Sequence, residues 1–414
     1  MSCATAGRCA DPGWLESRVD PYRDRLLRDG SPDLDEVLAL LPRPQGRAAF
    51  DEAVIAPNIE RVERAVTVET GHPFLDASVK TGLAAIDATF QGNHPKYGVG
   101  AYGHPAHDAF PPTIIASADA LSAWGMLRRA EEVFGYWLAT FVRADGSIDY
   151  YGPSLSEYGQ LLHTAVRVME RGARRQWWEA HMPALSCIAS WAMARIAEAG
   201  GELVQGCPEA DERADRGAYF HNNAWLAEGL RRFEEGCREF GGGPGAALGP
   251  VASELASRTL DAIAEKWPQD EDDLWLQPQV EERERPHGVT GNRIGSYTNY
   301  RYWPELLSSG LLPPGMARRV VRARLEFGGQ FVGMSRFADW LDDWPLFDYL
   351  AGLHRYGFAD DLLLCLYGHV AYGQAEEHLT AYEQVTFPPG REKAPYCLPA
   401  QLVAARAVAL LDGR

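Results

Sequence analysis

Apolar residues recur at spacings of three and four along most of this chain. Leu121, Trp124, Ala130, Phe134, Trp137 and Phe141 make one stripe, and Leu155, Tyr158, Leu162, Ala165 and Met169 make another. Leu185, Ile188, Trp191 and Ile196 follow, then Val251, Leu255, Leu260, Ile263 and Trp267, then Met316, Val320, Val321 and Leu325. That spacing keeps one face of a helix apolar. It predicts further helices over 14–28, 33–41, 73–90, 219–239, 345–356, 360–372 and 398–412, about a dozen in all, with strand-like alternation scarce. Punctuation agrees. Ser31-Pro32 fits an N-cap followed by proline in the first turn. Ser154-Leu155-Ser156-Glu157 has the spacing of a capping box, and the glycines at 200–201 and 241–245 stop helices.

One helix per ~34 residues is the rhythm of antiparallel helical hairpins with substantial loops. Such hairpins arranged in a ring bury their stripes against one another and gather their loops at the ends. Six inter-helix segments are rich in aromatics and acids. They are Lys96 to Pro112, Asp149 to Pro153, Glu209 to Asn223, Tyr297 to Trp303, Asp339 to Trp344, and Tyr382-Glu383-Gln384. Loops gathered at one end would line a pit with Trp, Tyr, Asp and Glu. Aromatic faces cover the C–H surfaces of a sugar, carboxylates bond its hydroxyls, and two suitably placed carboxylates can cleave it. No composition shift marks a second core. The reading is therefore a lead-in segment over 1–72, packed outside one all-α domain over 73–414.

Composition narrows the function classes. The chain has 414 residues, 46% apolar and 23% charged, with a net charge of −17. Acidic residues are spread along the whole length and no basic patch is visible, which argues against nucleic acid as a partner. No run approaches the ~18 apolar residues of a membrane span. The start of the chain lacks the apolar core of a secretory leader. The seven cysteines are scattered without a C-x-x-C pair, so buried thiols in a cytoplasmic protein are expected. The expected partner is a small carbohydrate-like molecule.

The order of several segments carries a family resemblance. They are Tyr97-Gly98-Val99-Gly100, Phe110-Pro111-Pro112-Thr113, Gly206 to Asp211, Tyr219 to Trp225, Asn299 to Leu306, Leu341 to Pro345, and Thr380 to Val385. In that order they resemble the six-hairpin glycosidase superfamily, nearest to its uncharacterised bacterial members. The resemblance covers roughly 73–412 and implies an (α/α)6 toroid with a carbohydrate-type pit. The superfamily also includes phosphorylases, epimerases and unsaturated-uronyl hydrolases.

Several residues are candidates for chemistry. Asp342 and Asp343 lie between Trp340 and Trp344, where aromatic walls can raise a carboxyl pKa toward that of a general acid. N-capping of the following helix would also place Asp there. Glu209 and Asp211 precede a helix near Tyr219, where acids act either in catalysis or on the helix dipole. Glu383 is an acid among apolar neighbours, and Asp149 follows an Asp-Gly-Ser turn. Glu157 is accounted for by the capping box. Tyr300, Trp303 and Trp344 are expected to stack on substrate, while Trp124, Trp137, Trp177, Trp178 and Trp191 fall on core stripes. Arg301 and Arg293 could bind a uronate carboxylate. His221 and His369 read as hydrogen-bonded wall residues. His94, His104 and His107 crowd one loop with Asp108 but match no zinc spacing, so neither a metal nor another cofactor is expected.

Together these residues predict a hydrolase of small glycosides, with acid and base among Asp149, Asp211, Asp343 and Glu383. Asp343 is the expected general acid, and Asp211 or Glu383 its partner, across a pit floored by Trp303, Trp344 and Tyr300. The alternatives are a uronate lyase using Tyr300, Arg301 and His221, a sugar epimerase, a terpene-type cyclase using the D-x-D-D run at 270–273, or a non-catalytic sugar-binding protein.

Overall fold

The computed structural model describes residues 52–98, 105–150, 154–209, 213, 215–243, 248–267, 274–281, 293–327, 329–331, 333–338, 340–375, 378–386 and 397–414. The helices expected at 14–28 and 33–41, Asp211, His104 and the acidic run 270–273 lie outside them, as does the Arg293 side chain.

In chain order the elements are α1 (Glu52–Ala65), α2 (Pro73–Thr89), α3 (Pro111–Ala123), α4 (Leu127–Phe141), α5 (Leu155–Glu170), α6 (Arg175–Glu198), α7 (Phe220–Phe240) and α8 (Leu248–Lys266). A short α9 (Arg293–Tyr297) runs through a π-turn at Thr298–Tyr302 into α10 (Trp303–Ser309), followed by α11 (Pro314–Glu326). Strands β1 (Gln330–Phe331), β2 (Met334–Phe337) and β3 (Trp340–Asp342) precede α12 (Leu346–Arg355) and α13 (Ala359–Gly368). Strand β4 (Gln384–Thr386), α14 (Leu398–Gln401) and α15 (Val403–Leu411) complete the chain.

Helices α3, α5, α7, α10, α12 and α15 each pack on the next, and α15 with α14 returns to α3, so they close an inner ring. Helices α2, α4, α6, α8, α11 and α13 pack around it. This is an all-α (α/α)6 toroid. Sequence and position agree. Inner helix α3 is buried at every position from Pro111 to Ser122, whereas outer α4 buries Ala130, Val133, Phe134, Trp137 and Leu138 on one stripe. Inner helices α5 and α7 meet at Gly159 and Gly229, where a Cβ on either residue would overlap the other helix's backbone. Helix α1 of the lead-in segment packs on α2. Among the described residues no helix is long and apolar enough to cross a membrane.

The chain enters every inner helix from the same end. Five of the six aromatic-and-acid segments lead straight into an inner helix, and the sixth, Tyr382-Glu383-Gln384, leads into β4, which pairs with β3 just before α12, so they converge on one mouth of the ring.

Two expectations need correction. Strands of two to four residues are too short to show a period, yet β1 to β4 form an antiparallel sheet in the order β1-β2-β3-β4. Ser154 does cap α5, but its side chain makes no capping bond, and Glu157 turns inward instead of back to the chain. The tryptophans of the core stripes behave as expected. Trp124, Trp137, Trp177 and Trp178 are buried, and half-buried Trp191 stacks on Tyr158 at 3.9 Å.

Candidate active site

The sheet determines which acids meet. Strand β3 pairs with β4 so that Leu341 faces Val385 and Asp342 faces Gln384, and Glu383, the residue before Gln384, is near enough for its charge to act on Asp342. Asp342 is 1% exposed and Glu383 is 6% exposed. The Asp342 carboxylate accepts from Gln384 Nε2 at 2.6 Å, from the Trp344 backbone N–H at 3.3 Å and from the Tyr300 hydroxyl. Burial, with the Glu383 charge adding to it, pushes its carboxyl up to about 7. Tyr97 and Cys397 complete this wall. They bond to one another, and burial together with the Asp342 and Glu383 charges pushes both the phenol and the thiol well up.

Asp343 takes the opposite direction, because successive side chains at a strand alternate faces. Its Oδ1 accepts from the Ser335 backbone N–H at 3.0 Å, and its Oδ2 lies 2.9 Å from His369 Nδ1. His369 is fully buried and held by this contact with Asp343. Asp343 therefore ties β2 to the segment after α13.

The facing wall is built on Arg301, which is 1% exposed. Its guanidinium reaches Glu305 at 2.5 Å, Glu157 at 2.9 Å and Glu209 at 3.3 Å. Burial alone would lower the pKa of Arg301, but Glu305, Glu157 and Glu209 more than reverse it, so the guanidinium stays charged. Burial pushes the Glu157 carboxyl up, against the pull of Arg301. Arg301 is thus committed to three glutamates, which removes the uronate-binding role expected of it. The Tyr219 to Asn223 motif holds the Glu209 loop in place. His221 Nε2 donates to the Pro208 carbonyl at 3.0 Å, Asn222 to that of Cys207 at 2.9 Å, and Asn223 to that of Val204 at 3.1 Å. Burial holds His221 down at about 4, a neutral ring stacked on Tyr302 at 4.6 Å.

Half-buried Trp344 lies between the walls. Arg301 sits 5.0 Å from its ring centroid, and Tyr300 and Phe110 approach it edge-on at 6.0 Å each. Tyr300 in turn stacks on Phe337 at 4.2 Å. Trp303 does not join this floor. It is 1% exposed, donates to the Leu276 carbonyl at 3.1 Å and packs on Trp275 and Phe327, so it is core. Asp149 is also elsewhere, with its side chain 59% exposed and paired with Arg143. In the histidine loop, Asp108 takes Lys96 at 2.8 Å and His94 at 2.7 Å, while His107 meets the Tyr150 hydroxyl at 2.7 Å. Among the described residues no three His, Cys, Asp or Glu side chains are placed to hold a metal ion.

The structure thus brings together Asp342, Glu383, Tyr300 and Trp344 on one side and Arg301 and Glu209 on the other. Sequence reasoning missed Glu157, Gln384 and Cys397. Gln384 directly follows the candidate Glu383, and Cys397 is the cap of a Cys-Leu-Pro helix start, so both had a local signal.

No protein-family model and no curated protein matches the sequence. Solved structures do. A glycosidase in complex with glucose superposes with a TM-score of 0.58 at 14% identity, over 83% of this chain and 99% of its own. A rhamnosidase from Klebsiella oxytoca with rhamnose bound gives 0.57 at 14% identity, over 84% and 66%. A GH63 mannosylglycerate hydrolase from Thermus thermophilus, in complex with Tris and D-glycerate, gives 0.53 at 12% identity, over 81% and 100%. At such identities the likeness is one of architecture: the chain shares the (α/α)6 toroid fold with these structures.

Proposed function

We propose that the protein is a glycoside hydrolase acting on a small glycoside or oligosaccharide at the mouth where the inner helices begin. One observation carries this reading. Asp342 and Glu383 are both buried, the Glu383 charge acts on Asp342, and half-buried Trp344 donates its backbone N–H to the Asp342 carboxylate. Two acids sharing a dry site divide into one protonated and one ionised form. With its carboxyl up at about 7, Asp342 still carries the proton below neutral pH and is the member assigned the acid role. It donates its proton to the glycosidic oxygen as the C–O bond breaks. Glu383 takes a proton from the incoming water or attacks the anomeric carbon, according to the separation across the bond. Trp344 covers the apolar face of the sugar, and Tyr300 holds Asp342 in position. The glycosidases and the rhamnosidase of the same architecture support this reading. Asp211 is the second candidate for the acid, because its loop neighbour Glu209 contacts Arg301 beneath Trp344.

A lyase reading has less support, since the arginine it needs is enclosed by three glutamates. The test is hydrolysis of a panel of aryl glycosides and disaccharides by the wild type and by Asp342→Asn, Glu383→Gln, Asp211→Asn and Asp343→Asn. Loss in the first two with activity retained in Asp343→Asn supports the assignment. Full activity in Asp342→Asn would overturn it.

A further inference from the structure

The opposite mouth of the ring encloses a cavity of about 350 Å³. Its lining comes mainly from the later turns of the inner helices: Asp119 of α3, Gln160 to Arg167 of α5, His354 and Arg355 of α12, and Arg406 with Arg414 around α15. Four guanidinium groups, Arg167, Arg355, Arg406 and Arg414, share this lining with two carboxylates, Asp119 and Asp348. Asp119 is already heavily used. Arg406 pairs with it, Arg171 lies at 2.9 Å and Arg167 at 3.4 Å. Arg355 reaches Glu228 only at 3.6 Å and otherwise donates to the Ser309 carbonyl, while Arg414 pairs with Asp412 at 2.6 Å.

A second observation points the same way. Three residues of the lining, Gln160, Trp225 and Arg406, are each no more than 6% exposed. Each keeps a buried nitrogen without a hydrogen-bond partner among the described residues: Gln160 Nε2, Trp225 Nε1 and Arg406 Nε. All three are donors. A buried donor without an acceptor is costly, and the four guanidinium groups of the lining outnumber its two carboxylates, Asp119 and Asp348, so the cavity is short of acceptors and of negative charge. Burial lowers the Arg167 guanidinium to about 9, with Arg171 and Arg355 adding to the fall. Burial likewise lowers Arg406 to about 10.

We propose that this cavity binds a small oxyanion of the phosphate class, free or esterified to a small organic body. A tetrahedral oxyanion offers several acceptors at once, which two guanidinium forks can take in paired bonds. The volume admits the oxyanion and a few further atoms, at the low end for ligand pockets. The inference does not rest on the proposed hydrolase function, because the lining includes neither Asp342 nor Glu383.

The test uses the full chain with inorganic phosphate and glycerol phosphate as probes. Thermal midpoints and calorimetric titrations are compared with sodium chloride at equal ionic strength. Both probes, or one of them, should raise the midpoint saturably where chloride does not. The tighter of the two identifies the free or the esterified form. Arg167→Gln and Arg355→Gln should each weaken that binding at least ~10-fold, the effect of losing one charge-assisted bond. Their midpoints in chloride should change little. Arg355 is 39% exposed in its side chain, so its replacement keeps the test open if Arg167→Gln does not fold. Equal responses to chloride and phosphate, or a phosphate response unchanged in both variants, would overturn the proposal.

Discussion

The two mouths of the ring are built on opposite charge plans. Where the inner helices begin, buried carboxylates dominate: Glu157, Glu209, Glu305, Asp342 and Glu383. Where they end, arginines dominate: Arg167, Arg171, Arg355 and Arg406. Six parallel helices present the positive ends of their dipoles to the first mouth and the negative ends to the second, so each plan complements the backbone. Each mouth also holds a charge of the wrong sign that is enclosed by three partners. Arg301, just before α10, is wrapped by three glutamates. Asp119, near the end of α3, is wrapped by three arginines. A buried charge on the wrong end of a dipole persists only when several partners satisfy it. Burial at the acid mouth pushes the Glu157 and Asp342 carboxyls up, and the basic mouth keeps buried donors without acceptors among the described residues.

The largest effect should come from breaking the first cluster. Arg301→Met leaves Glu157, Glu209 and Glu305 facing one another in a dry interior and should cost about 3–5 kcal/mol, read from the denaturant midpoint. Asp119→Asn should cost less, because the cavity beside it can admit an anion in place of the lost carboxylate. Phosphate should restore part of that loss and none of the loss in Arg301→Met. Equal losses with equal responses to phosphate would break the comparison.

Next comes Asp342→Asn, with at least a ~10²-fold fall in turnover, the usual loss on removing a general acid. Wild-type turnover should fall as pH rises through about 7, where Asp342 loses its proton. The effect on stability has a definite sign. The folded-state pKa of Asp342, about 7, lies above the ordinary value of 3.8, so the folded state holds the proton through that window. Its contribution is fully present below pH ~4 and is lost as pH rises toward 7. Asp342→Asn should flatten that part of the stability profile, measured by denaturation across pH 4 to 8.

Gly159→Ala tests the scaffold that both mouths share. Its methyl would collide with the Trp225 carbonyl where α5 meets α7, so a loss of about 1–3 kcal/mol is expected in the thermal midpoint. The smallest effect belongs to Asp343→Asn. The amide oxygen can keep the Ser335 N–H, and only the His369 contact is weakened, so about 1 kcal/mol and near-normal turnover are expected.

The toroid was legible because long amphipathic stripes report their own periodicity, and because five of the six aromatic segments lead straight into an inner helix. The acid we propose, Asp342, was not. Choosing Asp342 over Asp343 depends on a three-residue strand, Trp340 to Asp342, whose pairing with Gln384 to Thr386 spans some forty residues of sequence. No local pattern reports such a register. Glu157 was hidden differently. Its capping-box spacing was real, but Arg301, 144 positions away, offered the carboxylate a stronger partner. Trp303 and Trp344 look alike in sequence, both flanking polar groups. Only the packing of Trp275 and Phe327 on the first shows that it is core.

The central claim is that a sugar is held at the mouth where the inner helices begin. A crystal of the protein soaked with a mixture of neutral monosaccharides and uronates tests it most directly. Density for one sugar ring is expected against Trp344, with Asp342 and Glu383 within hydrogen-bonding distance of its oxygens. A sugar bound only at the arginine-lined cavity, or beside exposed Asp149, would contradict it.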